Sequence, residues 1–112
     1  MSNNRALLEN AAKAAGIKGV YVSWCYNGFK EGIREPSDKS SIPWNPLTDD
    51  GPALRLAVKL NFEFDIGKNY VSVVDWNGNK TSIDSNIDSN IYAATRRAIV
   101  SAAAEIGKNA AA

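Results

Sequence analysis

Residues 61–84 read NFEFDIGKNYVSVVDWNGNKTSID, and they predict most of a β-sheet. The first of these residues alternate between large apolar side chains and the acidic Glu63 and Asp65, as a strand with one buried face does. A glycine-containing turn follows, and residues 70–76 are rich in valine and aromatic residues, which favour a second strand. The Asn77-Gly78 pair is a strong signal for a tight turn, so we expect a third strand to return antiparallel to the second.

The Asn77-Gly78 pair also predicts a register. If these residues are the centre of a two-residue turn, Asp75 lies opposite Lys80 and Val74 lies opposite Thr81. Asp75 and Lys80 would then form an ion pair across the two strands.

The chain before this sheet predicts a helix and a hairpin. Apolar residues at helical spacing indicate a helix from about Asn4 to Ala15, and Gly16 is expected to end it. Alternating residues over Val20–Tyr26 indicate a strand, Asn27-Gly28 a turn, and Phe29–Arg34 a short returning strand.

A loop and a second helix are predicted between the two hairpins. Residues 35–47 are rich in proline, serine, aspartate and lysine, which is typical of a loop within a domain. Thr48, Asp49 or Asp50 is expected to cap a helix that runs to about Leu60. The residues of this helix available for burial are Ala53, Leu54, Ala57, Val58 and Leu60.

A third helix is predicted to begin near Ser89 or Asn90 and to end at Gly107, with residues 108–112 frayed. Its apolar stripe consists of Ile91, Thr95, Ala98, Ala102 and Ile106.

The order of these elements predicts one α+β domain over residues 1–112, with a single, mainly antiparallel sheet and three helices packed on it. Within Val71–Val74 the adjacent residues Val73 and Val74 are both apolar, which indicates that parts of the sheet are covered on both faces. A three-layer α-β-α sandwich would cover them in this way.

Composition narrows the functional classes. The chain has 112 residues, 45% of them apolar, and a formal net charge of +1, so it has no general attraction for nucleic acid or anionic membranes. Its one cysteine, Cys25, cannot form an internal disulfide and is predicted to be an inert packing residue. The first residues lack the long apolar run of a signal peptide, so we expect a reduced, cytoplasmic protein.

The sequence also argues against catalysis. It contains no histidine, which excludes Ser-His-Asp and Cys-His nucleophile systems within this chain. Asp49 and Asp50 are interpreted as helix-capping residues. Residues 84–88 have the Asp-x-Asn-x-Asp spacing that begins a calcium loop, but Ser89 replaces its glycine and Thr95 its closing glutamate. We therefore predict no catalytic residue, no metal site and no cofactor.

Trp44 lies in the stretch SIPWNPLTDDGP, residues 41–52, between two prolines that restrict the backbone around it. One interpretation is structural, with the indole folded onto the core as a staple before the second helix. The other is functional. In that case Trp44 stays partly exposed and forms an aromatic contact patch for a partner together with Tyr26, Phe29 and Trp76.

Two segments carry a family resemblance. Residues 44–64, WNPLTDDGPALRLAVKLNFEF, and residues 94–108, ATRRAIVSAAAEIGK, resemble small proteins of tailed bacteriophages and prophages, in the phage α-β-α sandwich and NinX-like families. The resemblance implies a sheet covered on both faces and a bacterial cytoplasm as the setting. It implies no catalytic residues.

Two functional hypotheses follow. The first is a non-enzymatic phage accessory protein that binds a host or phage macromolecule, most simply a protein, as a host-takeover or anti-defence factor. The alternative is a small-ligand or nucleic-acid binder in which Arg96 and Arg97 contact phosphate. An exposed strand edge also allows two copies to pair as a homodimer.

Overall fold

The computed structural model describes residues 4–24, 30–35, 43–84 and 90–109. In chain order its elements are α1 (Asn4–Ala15), β1 (Val20–Trp24), β2 (Lys30–Arg34), α2 (Asp50–Lys59), β3 (Glu63–Ile66), β4 (Tyr70–Val74), β5 (Lys80–Asp84) and α3 (Ile91–Asn109). The predicted α+β class with three helices is confirmed.

The predicted single sheet is wrong, because the described strands form two sheets. β1 and β2 make an antiparallel hairpin, and β3, β4 and β5 make a separate antiparallel sheet in that order. Among the described residues, Trp44 alone extends the free edge of β2, and its N–H and C=O pair with Ile33 at 2.9 Å each. Pro46 is the next residue whose N–H would face β2, and because proline has no N–H, the ladder does not continue past Trp44 in that direction.

Helix α3 is the centre of the packing. It lies against β4 and β5 on one side and contacts α1 and α2 elsewhere, whereas α1 also packs on β1 and β2. The predicted third layer on the larger sheet is therefore not formed by α1 or α2, which both pack on α3. The buried apolar residues form two clusters. The smaller one consists of Leu8, Ala12 and Ile33. The main core consists of Ala11, Ala15, Ala53, Leu56, Ala57, Val71, Val73, Ala94, Ala98, Ile99, Val100, Ala102 and Ala103.

The prediction that Gly107 ends α3 is wrong, because the helix continues to Asn109. Gly107 is buried at the crossing with α1, and a β-carbon there would overlap the backbone carbonyl of Asn10. The glycine is needed for the close approach of the two helices, so its role is tertiary. At the other end of α3 the prediction is confirmed, since Asn90 Oδ1 accepts hydrogen bonds from the backbone N–H groups of Tyr92 (3.0 Å) and Ala93 (3.1 Å).

The β4–β5 turn is one residue longer than predicted. Val74 lies opposite Lys80, and the Asp75 N–H donates to the Asn79 carbonyl at 3.0 Å. Gly78 has a φ of +88° and donates its N–H to the Asp75 carbonyl at 2.9 Å, which is the pattern of a three-residue loop with a glycine bulge. The predicted pairing of Asp75 with Lys80 is therefore wrong.

The Asp75 carboxylate explains why this turn forms. It accepts hydrogen bonds from the backbone N–H groups of Asn77 and Asn79, both at 2.9 Å, and from the Asn79 side chain at 3.2 Å. Partial desolvation raises the pKa of Asp75, but the hydrogen bonds from Asn79 and Asn77 outweigh it and leave this pKa below its ordinary value. A side-chain acceptor at this position favours the longer loop.

In α2 the predicted burial is partly wrong. Ala53 and Ala57 are buried as expected, but Leu56 is the large residue that faces the core. Leu54 and Val58 are 58% and 68% exposed. The N-cap residue is Asp49, within the predicted range, although its side chain makes no capping hydrogen bond.

Several predicted features lie outside the described residues. They include Cys25, the Asn27-Gly28 turn, most of the loop before Pro43 and residues 85–89. In the described part of this hairpin Trp24 pairs with Lys30, whereas a two-residue turn at residues 27 and 28 would place Trp24 opposite Glu31.

Candidate functional site

A groove opens between the N-terminal halves of α2 and α3 and strand β3. Its volume is about 320 Å³, at the lower end of the range typical of ligand clefts. We call it the apolar groove; its lining residues are Asp50, Ala53, Leu54, Phe64, Ile66, Ile91, Tyr92, Thr95, Arg96 and Ile99.

The groove exists because its two walls are fixed by different partners. Helix α2 packs on α3, and β3 pairs with β4, whereas α2 and β3 contact each other little. The connection between them is tight: Asn61 has a left-handed φ of 58°, and the Phe62 N–H donates to the Ala57 carbonyl at 3.0 Å. The chain therefore leaves α2 at once and begins β3 beside it, with a cleft between.

Large apolar side chains are exposed around this groove. Tyr92 is 70% exposed and Ile66 55%, and Leu54 and Phe64 are exposed as well. Val58 lies one helical turn beyond Leu54 on the same side of α2 and extends this surface. Apolar side chains that cluster on a surface commonly mark a binding site, whereas scattered single ones do not.

One wall of the groove is a strand edge. β3 is the outer strand of its sheet, and no other described strand pairs with its free edge. Gly67 and Tyr70 form a hydrogen-bonded pair, with the Gly67 N–H donating to the Tyr70 carbonyl at 2.8 Å. Because hydrogen-bonded and non-hydrogen-bonded pairs alternate along an antiparallel ladder, the backbone groups of Phe64 and Ile66 point away from β4.

The other face of β3 is acidic. Glu63 and Asp65 alternate with Phe64 and Ile66 and are exposed. The Tyr70 hydroxyl donates to Asp65 Oδ2 at 3.1 Å, and this bond raises the pKa of Tyr70 above its ordinary value. The edge strand thus carries apolar side chains toward the groove and carboxylates on the opposite side.

Arg96 lines the groove and is held by two contacts. Its Nε donates to the Leu47 carbonyl at 2.9 Å, and its Nη1 forms an ion pair with Asp50 Oδ1 at 2.8 Å. Arg97, the next residue, instead donates to Asn4 Oδ1 at 3.4 Å. The structure therefore directs the two arginines to different neighbours and does not make them converge on one phosphate site.

Of the predicted aromatic patch, the structure describes Trp44 and Trp76. Trp44 is half-buried and packs against both core clusters, which is the geometry of the staple interpretation. Trp76 is 73% exposed at the tip of the β4–β5 hairpin. Tyr26 and Phe29 lie outside the described residues, so the patch as a whole stays a prediction.

Neither a metal cluster nor a membrane-spanning helix is found in the described parts of the chain. These residues contain no group of three or more Cys, Asp or Glu side chains placed to hold a metal ion. Their helices are also too short or too polar to cross a membrane.

No protein-family model matches this chain, and no curated protein and no solved structure is significantly similar to it. The resemblance to the phage α-β-α sandwich and NinX-like families therefore stays a prediction.

The sequence interpretation missed the groove because it assigned the apolar residues of α2 to the core. One signal was available. α2 carries more apolar residues than a single buried stripe requires, and they occupy more than one side of the helix: Ala53, Leu54, Leu56, Ala57, Val58 and Leu60. A second apolar side on a helix indicates a second contact surface besides the core.

Proposed function

We propose that this chain is a non-enzymatic protein-binding protein and that the apolar groove receives its partner. The observation that carries the proposal is the concentration of Leu54, Phe64, Ile66 and Tyr92, all exposed, around one cleft beside a strand edge with which no described strand pairs. Burying such side chains against a partner is the main source of binding energy at protein interfaces.

The polar groups of the groove support binding rather than catalysis. Asp50 and Arg96 are paired with each other, and the Thr95 hydroxyl donates to the Ile91 carbonyl at 2.7 Å. The Asp50–Arg96 pair links α2 to α3 and the Thr95 bond lies within α3, so these groups do not form a proton-transferring pair directed into the cleft.

The setting follows from the resemblance of residues 44–64 and 94–108 to phage proteins. In that setting the protein acts in the bacterial cytoplasm during infection or lysogeny. Its partner is a host or phage protein, and the consequence of binding is host takeover or the blocking of a defence.

Capture from phage-infected bacteria tests the proposal. Tagged wild-type protein is compared with Leu54→Ser and Tyr92→Ser, and captured proteins are identified by mass spectrometry. Trp76→Ser is the matched control, since it also removes an exposed ring but at the hairpin tip. We expect both groove variants to lose a partner that wild type and the control retain. A partner retained by both groove variants and lost by Trp76→Ser would contradict the groove as the site.

The alternative of a phosphate or nucleic-acid ligand has less support, because Arg96 is already committed to Leu47 and Asp50. A steep fall in DNA or nucleotide affinity with rising salt would favour that alternative.

A further inference from the structure

We infer that the apolar groove binds an extended segment of its partner in which apolar residues alternate with lysine or arginine, and that this segment pairs antiparallel with β3 as a fourth strand. The inference rests on the proposed function and names the class of partner segment for the same site.

The backbone of β3 supplies the first argument. The N–H and C=O groups of Phe64 and Ile66 point to the free edge, as the register with β4 requires. An extended segment can satisfy all of them through main-chain hydrogen bonds, the mode known as strand addition. A helix lying in the groove would leave them unpaired.

The side chains supply the second argument. In an antiparallel pair, residues directly opposite each other share a face of the sheet. Partner residues opposite Phe64 and Ile66 therefore enter the groove, where Leu54 and Tyr92 contribute apolar surface. These partner positions must be apolar, and they recur at every second residue.

The carboxylates of β3 favour a particular residue type at the partner positions between the apolar ones. A partner residue opposite Asp65 or Glu63 lies on the other face of the sheet, next to an exposed carboxylate. A basic residue is favoured there, because opposite charges across a strand pair stabilise it and like charges destabilise it. The intervening partner residues are thus lysine or arginine.

The same carboxylates argue against a second copy of this chain as the occupant. In a symmetric antiparallel pairing that aligns at least three residues of each β3 strand on matching faces, Asp65 lies opposite either Asp65 or Glu63 of the second copy. Each register places two carboxylates side by side. A foreign segment with basic residues avoids this repulsion.

Peptide binding measured by fluorescence anisotropy tests the inference on the full chain. The probe is a short capped peptide in which valine and lysine alternate. A peptide of the same composition with the valines in one block and the lysines in another is the control, and a third peptide replaces lysine with glutamate. We expect the alternating basic peptide to bind at least about ten-fold more tightly than the block peptide, since only alternation places every valine in the groove.

Charge reversal on β3 supplies an independent readout. The double variant Glu63→Lys and Asp65→Lys changes exposed side chains only. Each exposed cross-strand charge pair changes affinity by about two- to five-fold. We expect the double variant to prefer the glutamate peptide over the lysine peptide, and an unchanged preference would overturn the charge argument.

Backbone methylation tests the strand itself. Only every second amide of an added strand points toward β3. N-methylation of the valines should therefore abolish binding, whereas N-methylation of the lysines should be tolerated. Equal effects of the two modifications would overturn strand addition.

The remaining outcomes separate this inference from the proposed function. Binding of an amphipathic helical peptide to the groove, without binding of the alternating peptide, would overturn the inference and leave the groove as a protein-binding site. A concentration-dependent dimer that Ile66→Lys dissociates would overturn it in favour of a second copy. If the Leu54→Ser and Tyr92→Ser variants still capture the partner, the proposed function of the groove is contradicted instead.

Discussion

At the scale of single residues, Gly107 and Asn90 show what the sequence can predict about α3. Asn90 caps the helix as predicted, because capping depends on neighbours within a few residues. Gly107 resembles a helix end in sequence, yet it lies inside the helix where α1 crosses. The crossing involves Asn10, almost the whole chain away, and no local pattern contains that information.

Gly107→Ala is expected to destabilise the protein. A β-carbon would overlap the carbonyl of Asn10, and overpacking of this kind costs about 1–3 kcal/mol, more than the roughly 1 kcal/mol that alanine gains in a helix. Gly51→Ala is the matched control, because its β-carbon would meet only the flexible end of Arg55 at 3.2 Å. We expect that change to be neutral or stabilising by up to about 1 kcal/mol. Urea denaturation measures both, and equal effects of the two changes would contradict the close crossing.

Asp75 makes the stability of the β4–β5 turn depend on pH. Its pKa in the folded state lies below the ordinary value of 3.8, because Asn77 and Asn79 donate to the carboxylate. The ionised form therefore stabilises the fold above that ordinary pKa, and this contribution is lost as pH falls through the lowered folded value. The wild type should unfold at a higher temperature than Asp75→Asn at pH 7, and the difference should shrink in acid. A difference that stays constant down to pH 2 would contradict this role.

At the scale of elements, the sequence predicts that α2 is a helix but does not predict correctly which side of it is buried. The spacing of apolar residues indicates a helix, and the structure has it over Asp50–Lys59. Because several sides of this helix are apolar, periodicity alone does not decide which of them meets α3. Leu56 faces the core and Leu54 faces the groove, so the surplus apolar side belongs to the candidate site.

Leu54→Ala and Leu56→Ala should separate these two sides of α2. Leu56 is 3% exposed, and its truncation should cost about 2–5 kcal/mol because it leaves a cavity in the core. Leu54 is mostly exposed, and its truncation should change the free energy of unfolding by no more than about 0.5 kcal/mol. Denaturation of the unbound protein measures both. A large loss of stability in Leu54→Ala would mean that this residue is part of the core.

At the scale of the whole molecule, the α+β class was predictable, whereas the division into two sheets was not. Strand signals indicate where strands lie, but pairing between distant strands depends on what occupies each edge. Trp44 occupies the edge of β2 at a single residue pair, between two prolines. The edge of β3 is left without a partner among the described strands, and the groove lies beside it.

Only part of the candidate site was predictable. The surplus apolar residues of α2 were a signal in the sequence, whereas the exposed edge of β3 is defined by what the fold leaves uncovered. Phe64 and Ile66 have the alternation of a strand with one buried face, and they do lie on the face of Val71 and Val73. Helix α3 covers β4 and β5 and leaves this edge exposed.

Backbone amide hydrogen exchange, read residue by residue by NMR, shows whether the free edge of β3 receives the partner segment. In the free protein, the Phe64 and Ile66 amides should exchange quickly, whereas those of Glu63 and Asp65, which point to β4, should be protected. Addition of the alternating valine-lysine peptide should slow exchange at Phe64 and Ile66. Protection of those two amides already in the free protein, or no change on adding saturating peptide, would show that this edge does not bind the segment.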